Sequence, residues 1–536
     1  MQTSLRLVKN NVQGIITQVI LLKLAMSKQL FDFSQLKANF GSDFLASIVV
    51  FLVAIPLCLG IAIASGLPPT AGVITGIIGG IFVGSIAGSP LTVSGPAAGL
   101  VVLVVEIIAK HGFALFGEIL MLAGMLQMLA GHFKLGVWFR AISPAVIHGM
   151  LAGIGILIMG SQFHIMFDRK PVANGIQNIM HFPTAITESI SGLNGHVEAG
   201  LIGLLTIVAI VLWTRFAPKK LKLVPSALVG VLLAILVANV MHLDIKYIAD
   251  LFSDPKDMGN IFSAIQLPSL VDFYATFNVP VLIAVCSLAF VASAESLLSA
   301  SAVDQMHSGV RTQYDKELFS QGLGNTICGF LSVLPMTGVI VRSSANVAAG
   351  AKSRASTILH GFWLLLFISV FTFTLKYIPV SALAAVLVFT GYKLAYPKAL
   401  PELRRFGRAE VGIYVITIVT IVSTNLLTGI MVGLLLSLIK LLYVFSHLEV
   451  KVIKPSEDKA LEVHLLGSAT IIGLPKLAAV LEGLALKQSV KIEFDDLAYI
   501  DHACIDLLSG WQRQYIAAGG AVEVHWDNLH NKYHQR

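Results

Sequence analysis

Ser89-Pro-Leu-Thr-Val-Ser-Gly-Pro-Ala-Ala-Gly99 and, 245 residues further on, Leu334-Pro-Met-Thr-Gly-Val-Ile-Val-Arg-Ser-Ser-Ala-Asn346 share one design. In each, a short polar stretch broken by Gly and Pro opens directly into an apolar helix. Gly and Pro permit broken backbone at mid-membrane depth, which is tolerated only where it faces protein or a wet cavity. A helix that starts there presents unpaired N–H groups and the positive end of its dipole, a setting that favours an anion. Either stretch alone can be read as a packing or kink device. Two at matching positions of two halves point to a transporter's binding site.

Two charges deepen that reading. Arg342 lies inside the second apolar segment, where a guanidinium is costly and needs a function or a partner. It attracts the substrate or neutralises a carboxylate, and attraction is the favoured reading. Glu295, in Val291-Ala-Ser-Ala-Glu-Ser-Leu-Leu-Ser299, is the clearest carboxylate deep within a span, and Ser299 shares its helix face at i+4. A carboxylate that takes a proton or holds a cation would couple anion movement to a gradient; the alternative is a fixed ion pair with Arg342. Glu106 and Glu118 fall near helix ends, where solvated positions are expected, and neither they nor Gln127 are assigned a role.

Outward from these segments the chain is apolar as far as about residue 447. Of 536 residues, 56% are hydrophobic and 12% charged, against about 25% charged in a soluble domain. The class is a polytopic α-helical membrane protein, with fourteen segments expected near 44–66, 70–88, 91–109, 113–131, 142–161, 198–214, 225–243, 278–301, 317–334, 337–350, 355–375, 380–395, 410–424 and 428–446. With a cytoplasmic N-terminus, the inside loops carry fifteen Lys and Arg and the outside loops six, which places both termini in the cytoplasm. The net charge of +7 therefore reports topology. Nucleic acid is excluded as a partner, because no basic patch is interleaved with aromatics.

Residues 1–40 form an N-terminal cytoplasmic segment, with 41–447 the membrane domain and 448–536 a soluble tail. The run Gly14 to Met26 is interrupted by Gln18 and Lys23 and lacks a cleavage site. It reads as a surface amphipathic helix, or else Met26 is the true start. The tail holds nine Lys and Arg against twelve Asp and Glu. Its β-like runs 460–466, 490–494 and 521–526 alternate with helical stretches 476–486 and 503–518, predicting a small α/β domain. Cys58, Cys286, Cys328 and Cys504 lack metal or redox spacing, and three lie in apolar segments, so buried reduced thiols are expected. No nucleophile elbow, phosphate loop or zinc spacing occurs, so no catalytic residues, metal ligands or cofactors are assigned.

The sequence resembles the SulP sulfate permeases, which include bacterial sulfate, bicarbonate and dicarboxylate carriers and the animal proteins pendrin and prestin. The likeness runs from about residue 40 to the end. It rests on Ala54-Ile-Pro-Leu-Cys-Leu-Gly-Ile-Ala-Ile-Ala-Ser-Gly-Leu-Pro-Pro69, Thr92-Val-Ser-Gly-Pro-Ala-Ala98, Ala294-Glu-Ser-Leu-Leu298, Glu317-Leu-Phe-Ser-Gln-Gly-Leu-Gly-Asn325 and the Arg342 segment. The resemblance implies a seven-plus-seven inverted repeat of core and gate domains, alternating access, a homodimer and a cytoplasmic STAS tail. It places the anion between the N-termini of the third and tenth helices, at Ser94, Gly95, Ala97 and Ala98 and at Val341, Arg342, Ser343 and Ser344. Leu57, Ile61 and Glu295 would line the same cavity.

Departures from the family pattern shape the expectation. Leu57 and Ile61 stand where many members carry Gln and Tyr, which makes the cavity more apolar. Ile340 stands where sodium-coupled bicarbonate carriers use a hydroxyl, tilting the coupling ion from sodium toward a proton, or toward simple exchange. In Tyr499-Ile-Asp-His-Ala-Cys504, Ala503 replaces the phosphorylatable residue of the STAS turn, leaving assembly or partner binding open. The function expected is secondary transport of a small inorganic anion, sulfate or bicarbonate first, in a bacterial inner membrane. A dicarboxylate carrier, an anion channel and a membrane sensor signalling through the tail are the alternatives; a nucleobase permease is disfavoured by Arg342.

Overall fold

The computed structural model describes residues 33–524 except 142, 172–174, 193–195, 219–220, 222–223, 252–264, 266–277, 397–399, 454–459, 486–487 and 495–496. The expectations for Gly14 to Met26 lie outside the described residues. Beside the short helices Gly175–Met180, Phe182–Ile190 and Leu400–Arg405, fourteen helical segments among the described residues match the expected ones: α1 Phe33–Ala64, α2 Pro69–Ile86, α3 98–111, α4 113–132, α5 Pro144–Met166, α6 Val197–Phe216 and α7 Ser226–Val240 form the first half. The second half comprises α8 Val279–Asp304, α9 Tyr314–Phe330, α10 Ile340–Ala348, α11 Ala355–Val370, α12 Val380–Ala395, α13 Arg408–Ser423 and α14 Leu426–Ser446. No loop separates α3 from α4, and the chain turns between them only at Gly112, whose φ of 81° suits glycine.

The packing repeats when every number is advanced by seven. α2 lies against α11 as α9 lies against α4, and α1 packs on α11 as α8 packs on α4 and the adjoining α3. α5 packs on α12, its own mate under the shift. Seven spans per half is an odd number, so the halves enter the membrane from opposite sides, and this is the inverted repeat that the sequence suggested. At its centre, β1 Ser94–Pro96 and β2 Met336–Gly338 pair antiparallel, Ser94 opposite Gly338 and Pro96 opposite Met336. Among the described residues eight helical stretches are long and apolar enough to cross a membrane, α3 and α4 counting as one, and α7 and α11 are shorter apolar helices.

The chain divides into two compact units, residues 1–406 with 414–431, and residues 407–413 with 432–536. The second unit thus reaches back into α14 from the boundary expected at 447/448. Its α/β part is a five-stranded mixed sheet, β3 Leu448–Ile453, β4 Leu461–Ala469, β5 Ser489–Glu493, β6 Leu497–Ile500 and β7 Ala521–Val524. β4 is central, antiparallel to β3 and parallel to both β5 and β6. Helices α15 Leu474–Glu482 and α16 His502–Ala517 cover it, with Leu477 and Leu481 of the first and Leu508 and Trp511 of the second in the core.

Asp501 caps α16, accepting the Cys504 amide at 2.9 Å. Burial alone would raise this carboxyl, but hydrogen bonds led by the Cys504 amide outweigh it and hold Asp501 below the ordinary carboxylate range. A depressed folded-state value stabilises the fold above the unfolded value near 3.9, and that contribution is lost as pH falls through the folded value. Asp501→Ala is expected to destabilise the unit by about 1 kcal/mol and to flatten this acid-side slope. Hydrogen exchange of α16 amides in the full chain, followed against pH, measures both.

Candidate functional site

The two half-helices start in the same way. Ala97, before α3, and Val339, before α10, are both extended with φ −105°, and neither helix carries a side-chain cap. Their leading N–H groups are therefore left without the usual Ser, Thr, Asp or Asn oxygen. The strand pair brings these starts together from opposite directions, and α10 reaches back to bind the lead-in to β1. Ser343 Oγ accepts the Val93 amide at 2.9 Å, and Asn346 Nδ2 donates to Leu91 O at 3.0 Å.

Arg342, on the first turn of α10, is 0% exposed, and its Nε, Nη1 and Nη2 have no hydrogen-bond partner among the described residues. The guanidinium rests on Gly95: a Cβ built there would stand 2.2 Å from Nη1, so any larger residue at position 95 displaces the arginine. The Cys58 thiol of α1 lies beside it. Glu295 on α8 rests in the same manner on Gly99, where a Cβ would meet its carboxylate oxygens at 2.7 and 2.8 Å. Oε2 of Glu295 is buried without a hydrogen-bond partner among the described residues. No ion pair joins Glu295 to Arg342 among the described residues, so the neutralised-pair alternative has no counterpart in the structure. A guanidinium and a carboxyl group, not ion-paired with each other, thus flank β1 and the first turn of α3, resting on Gly95 and Gly99, four residues apart on that segment.

The remaining candidates separate. Ser94 is 2% exposed and turned toward α9, where its Oγ accepts from Gln321 Nε2 at 2.6 Å. Ala97 is buried and Ala98 half-buried at the start of α3. Ser343 has its hydroxyl occupied twice, accepting from Val93 and donating to Val339 O at 2.7 Å, which makes it a brace between α10 and β1. Val341 is exposed, and Ser344 Oγ turns back to Val341 O. Leu57 and Ile61 are buried on α1, on either side of Cys58 in sequence. Ser299 is buried facing Gly338 of β2, while Ser296 Oγ accepts the Gly338 amide at 3.3 Å.

Two expectations need correction. Glu118 is 1% exposed, because α4 packs along α9 and covers a position that hydropathy alone put near solvent. Cys58, Cys328 and Cys504 are buried free thiols, but Cys286 is exposed, on a face of α8 that lines an apolar cleft of about 570 Å³ with α4 and α14. Sequence reasoning also missed Cys58 as a neighbour of Arg342, and His360 on α11, which is 0% exposed with both ring nitrogens unpartnered among the described residues. A single histidine in an apolar helix carries no spacing signal that would have exposed it. Glu106, by contrast, pairs with Lys110 at 2.6 Å in a partly exposed position, as expected near a helix end.

Paired, uncapped half-helices around unpaired charges in a polytopic inverted repeat define the class: a membrane transporter. The sulfate permease family model matches residues 40–417, and the chain belongs to that family. Over 401 residues it is 30% identical to a putative sulfate transporter, YvdB, of Bacillus subtilis, covering 75% of this chain and 73% of the relative. It is 25% identical to the bicarbonate transporter BicA of Synechocystis, covering 80% and 74%. The fold matches the transmembrane domain of a cyanobacterial BicA at TM-score 0.61 and 23% identity, covering 74% of this chain and 97% of that one. It also matches the murine Solute Carrier 26 family member A9 anion transporter in its inward-facing state, at TM-score 0.73 and 13% identity, covering 93% and 88%.

Proposed function

We propose that the chain is a secondary active transporter of a small inorganic anion, sulfate or bicarbonate, held between the first turns of α3 and α10 and released to either side by movement of a core against a gate. One observation carries the reading: Arg342 is fully buried, with no oxygen or nitrogen partner on its three guanidinium nitrogens among the described residues and the neutral Cys58 thiol beside it, between two uncapped helix starts. An unpaired charge so placed is unfavourable unless a ligand supplies the counter-charge. The family relatives named for sulfate and for bicarbonate support that substrate class.

Glu295 is the coupling group in this reading, taking up a proton, or a sodium ion with Ser299 beside it. Both ends of the chain are cytoplasmic, on the strength of the Lys and Arg asymmetry of its loops, and the membrane is a bacterial plasma membrane. The chain works as a homodimer, and the tail is a STAS-type domain that serves assembly or partner binding, since Ala503 leaves no hydroxyl at its strand-to-helix turn. Uptake of labelled sulfate and bicarbonate into proteoliposomes, with and without imposed pH and sodium gradients, tests this directly. One of the two anions is expected to accumulate. Movement of a dicarboxylate or uracil instead, with neither inorganic anion transported, would overturn the substrate class.

A further inference from the structure

Apart from the Gln321 bond to Ser94, the segment Glu317 to Asn325 has no part in the site described so far, yet it carries a row of polar side chains at i, i+4 and i+8 on one face of α9. Glu317, Gln321 and Asn325 are all 0–1% exposed. Each holds a different piece of the paired strands. Glu317 Oε2 accepts the Ser89 amide at 2.8 Å on the lead-in to β1. Gln321 Nε2 donates to Ser94 Oγ at 2.6 Å, within β1, and to Glu317 Oε1 at 2.8 Å. Asn325 treats β2 as a strand would, accepting the Met336 amide at 2.8 Å and donating to Met336 O at 3.1 Å. It also donates to Gln127 Oε1 at 2.8 Å, and Gln127 passes the chain to Ser293 Oγ at 3.1 Å, two residues before Glu295 on α8.

β1 and β2 have only three residues each, and a pair this short has little stability of its own. Whatever fixes the separation of the α3 and α10 starts must therefore come from outside the pair. We propose that this face of α9 is the positioning device of the anion site, with Gln321 as its central positioning residue. Gln321 joins the β1 end of the row to Glu317, and through α9 itself to the β2 clamp at Asn325. It does not touch the anion. It acts by holding Ser94, and with it the backbone that runs into Gly95 and Ala97, at the depth where the α3 N–H groups converge with those of α10. The inference rests on the proposed anion site, and its test is built so that the two can fail separately.

The test compares apparent KM and maximal rate of anion uptake in proteoliposomes of the full chain. Gln321→Met keeps the volume and removes both donated bonds. Ser94→Ala removes the acceptor alone, and Gln321→Asn withdraws the donor by one methylene. Each variant is expected to raise apparent KM roughly three- to tenfold, the range of one hydrogen bond, with the maximal rate within about twofold of the parent. The double variant Gln321→Met with Ser94→Ala is expected to be no worse than Gln321→Met alone, because both changes break the same bond. A merely structural role would lower maximal rate or the amount of folded protein and leave KM in place. If Gln321→Met does not accumulate as folded protein, Gln321→Asn and Ser94→Ala carry the test, and an unchanged KM in both overturns the proposal. If the parent chain moves neither anion, the functional reading fails first; if it does and the KM values do not shift, only the role of Gln321 is lost.

Discussion

Replacing Arg342 by Met is expected to weaken the apparent affinity for the transported anion roughly 10- to 150-fold while leaving the protein as stable as before or more so. The magnitude follows from losing one charge-assisted contact of about 1.5–3 kcal/mol in a site with few other polar side chains. The stability half of the prediction separates function from scaffold. Were Arg342 part of a structural ion pair, its removal would leave a buried partner charge and destabilise the fold by several kcal/mol. It has no such partner among the described residues, so an apolar residue of similar length relieves an unfavourable burial. Arg342→Lys is not expected to restore affinity, because a compact ammonium on a flexible stem does not present the planar donor fork that rests on Gly95. Uptake kinetics and thermal unfolding on the same preparations check both halves. Loss of stability together with unchanged KM would assign Arg342 to the scaffold.

Replacing Glu295 by Gln is expected to abolish accumulation against a gradient while sparing downhill exchange of the same anion. The carboxyl group sits on Gly99 at the first turn of α3, with Oε2 unpartnered among the described residues, so it faces the dipole end to which the proposed site assigns the anion. An empty site in this account holds Glu295 charged and close to the α3 start. Arrival of an anion there is unfavourable unless a proton or cation arrives with it, which is the physical content of coupling. Gln preserves shape and removes the charge, so the anion enters without its companion. The measurement is concentrative uptake driven by an imposed pH or sodium gradient, set beside tracer exchange at equal anion concentrations. Unchanged gradient-driven uptake would remove Glu295 from the coupling step.

The sequence made the membrane architecture legible because hydropathy and the Gly/Pro breaks act locally. All fourteen segments occur near their expected limits, and both half-helices start where Gly95-Pro96 and Gly338 interrupt the apolar run. The first helix begins at Phe33, earlier than the apolar stretch from 44, since a helix continues past the point where its residues become polar. In the tail, Leu448–Ile453 and Leu497–Ile500 escaped notice as strands: the first follows directly on an apolar helix, and the second is only four residues long.

Of the candidate site, the two half-helix starts and the depth of Arg342 and Glu295 were legible in the sequence, and the direction of the neighbouring hydroxyls was not. Ser343 and Ser94 read as anion ligands because they stand next to the half-helix starts, yet both are turned into the protein, to Val93 and to Gln321. Orientation of that kind is set by long-range packing, in these two cases across 250 and 227 residues of chain. The absence of a Glu295–Arg342 ion pair was hidden for the same reason. Opposite charges in neighbouring helices suggest a pair in sequence, and only the positions of Gly95 and Gly99 place them on separate ledges of one segment.

The central claim is that the transported anion lies between the first turns of α3 and α10, against Arg342. Cryo-electron microscopy of the full chain saturated with whichever anion the flux assay selects tests it most directly, with the Arg342→Met variant imaged under the same conditions. The account predicts density within hydrogen-bonding distance of the Arg342 guanidinium and of the leading N–H groups at Ala98 and Ile340, and loss of that density in the variant. Density at another position, or density that survives in the variant, would contradict it.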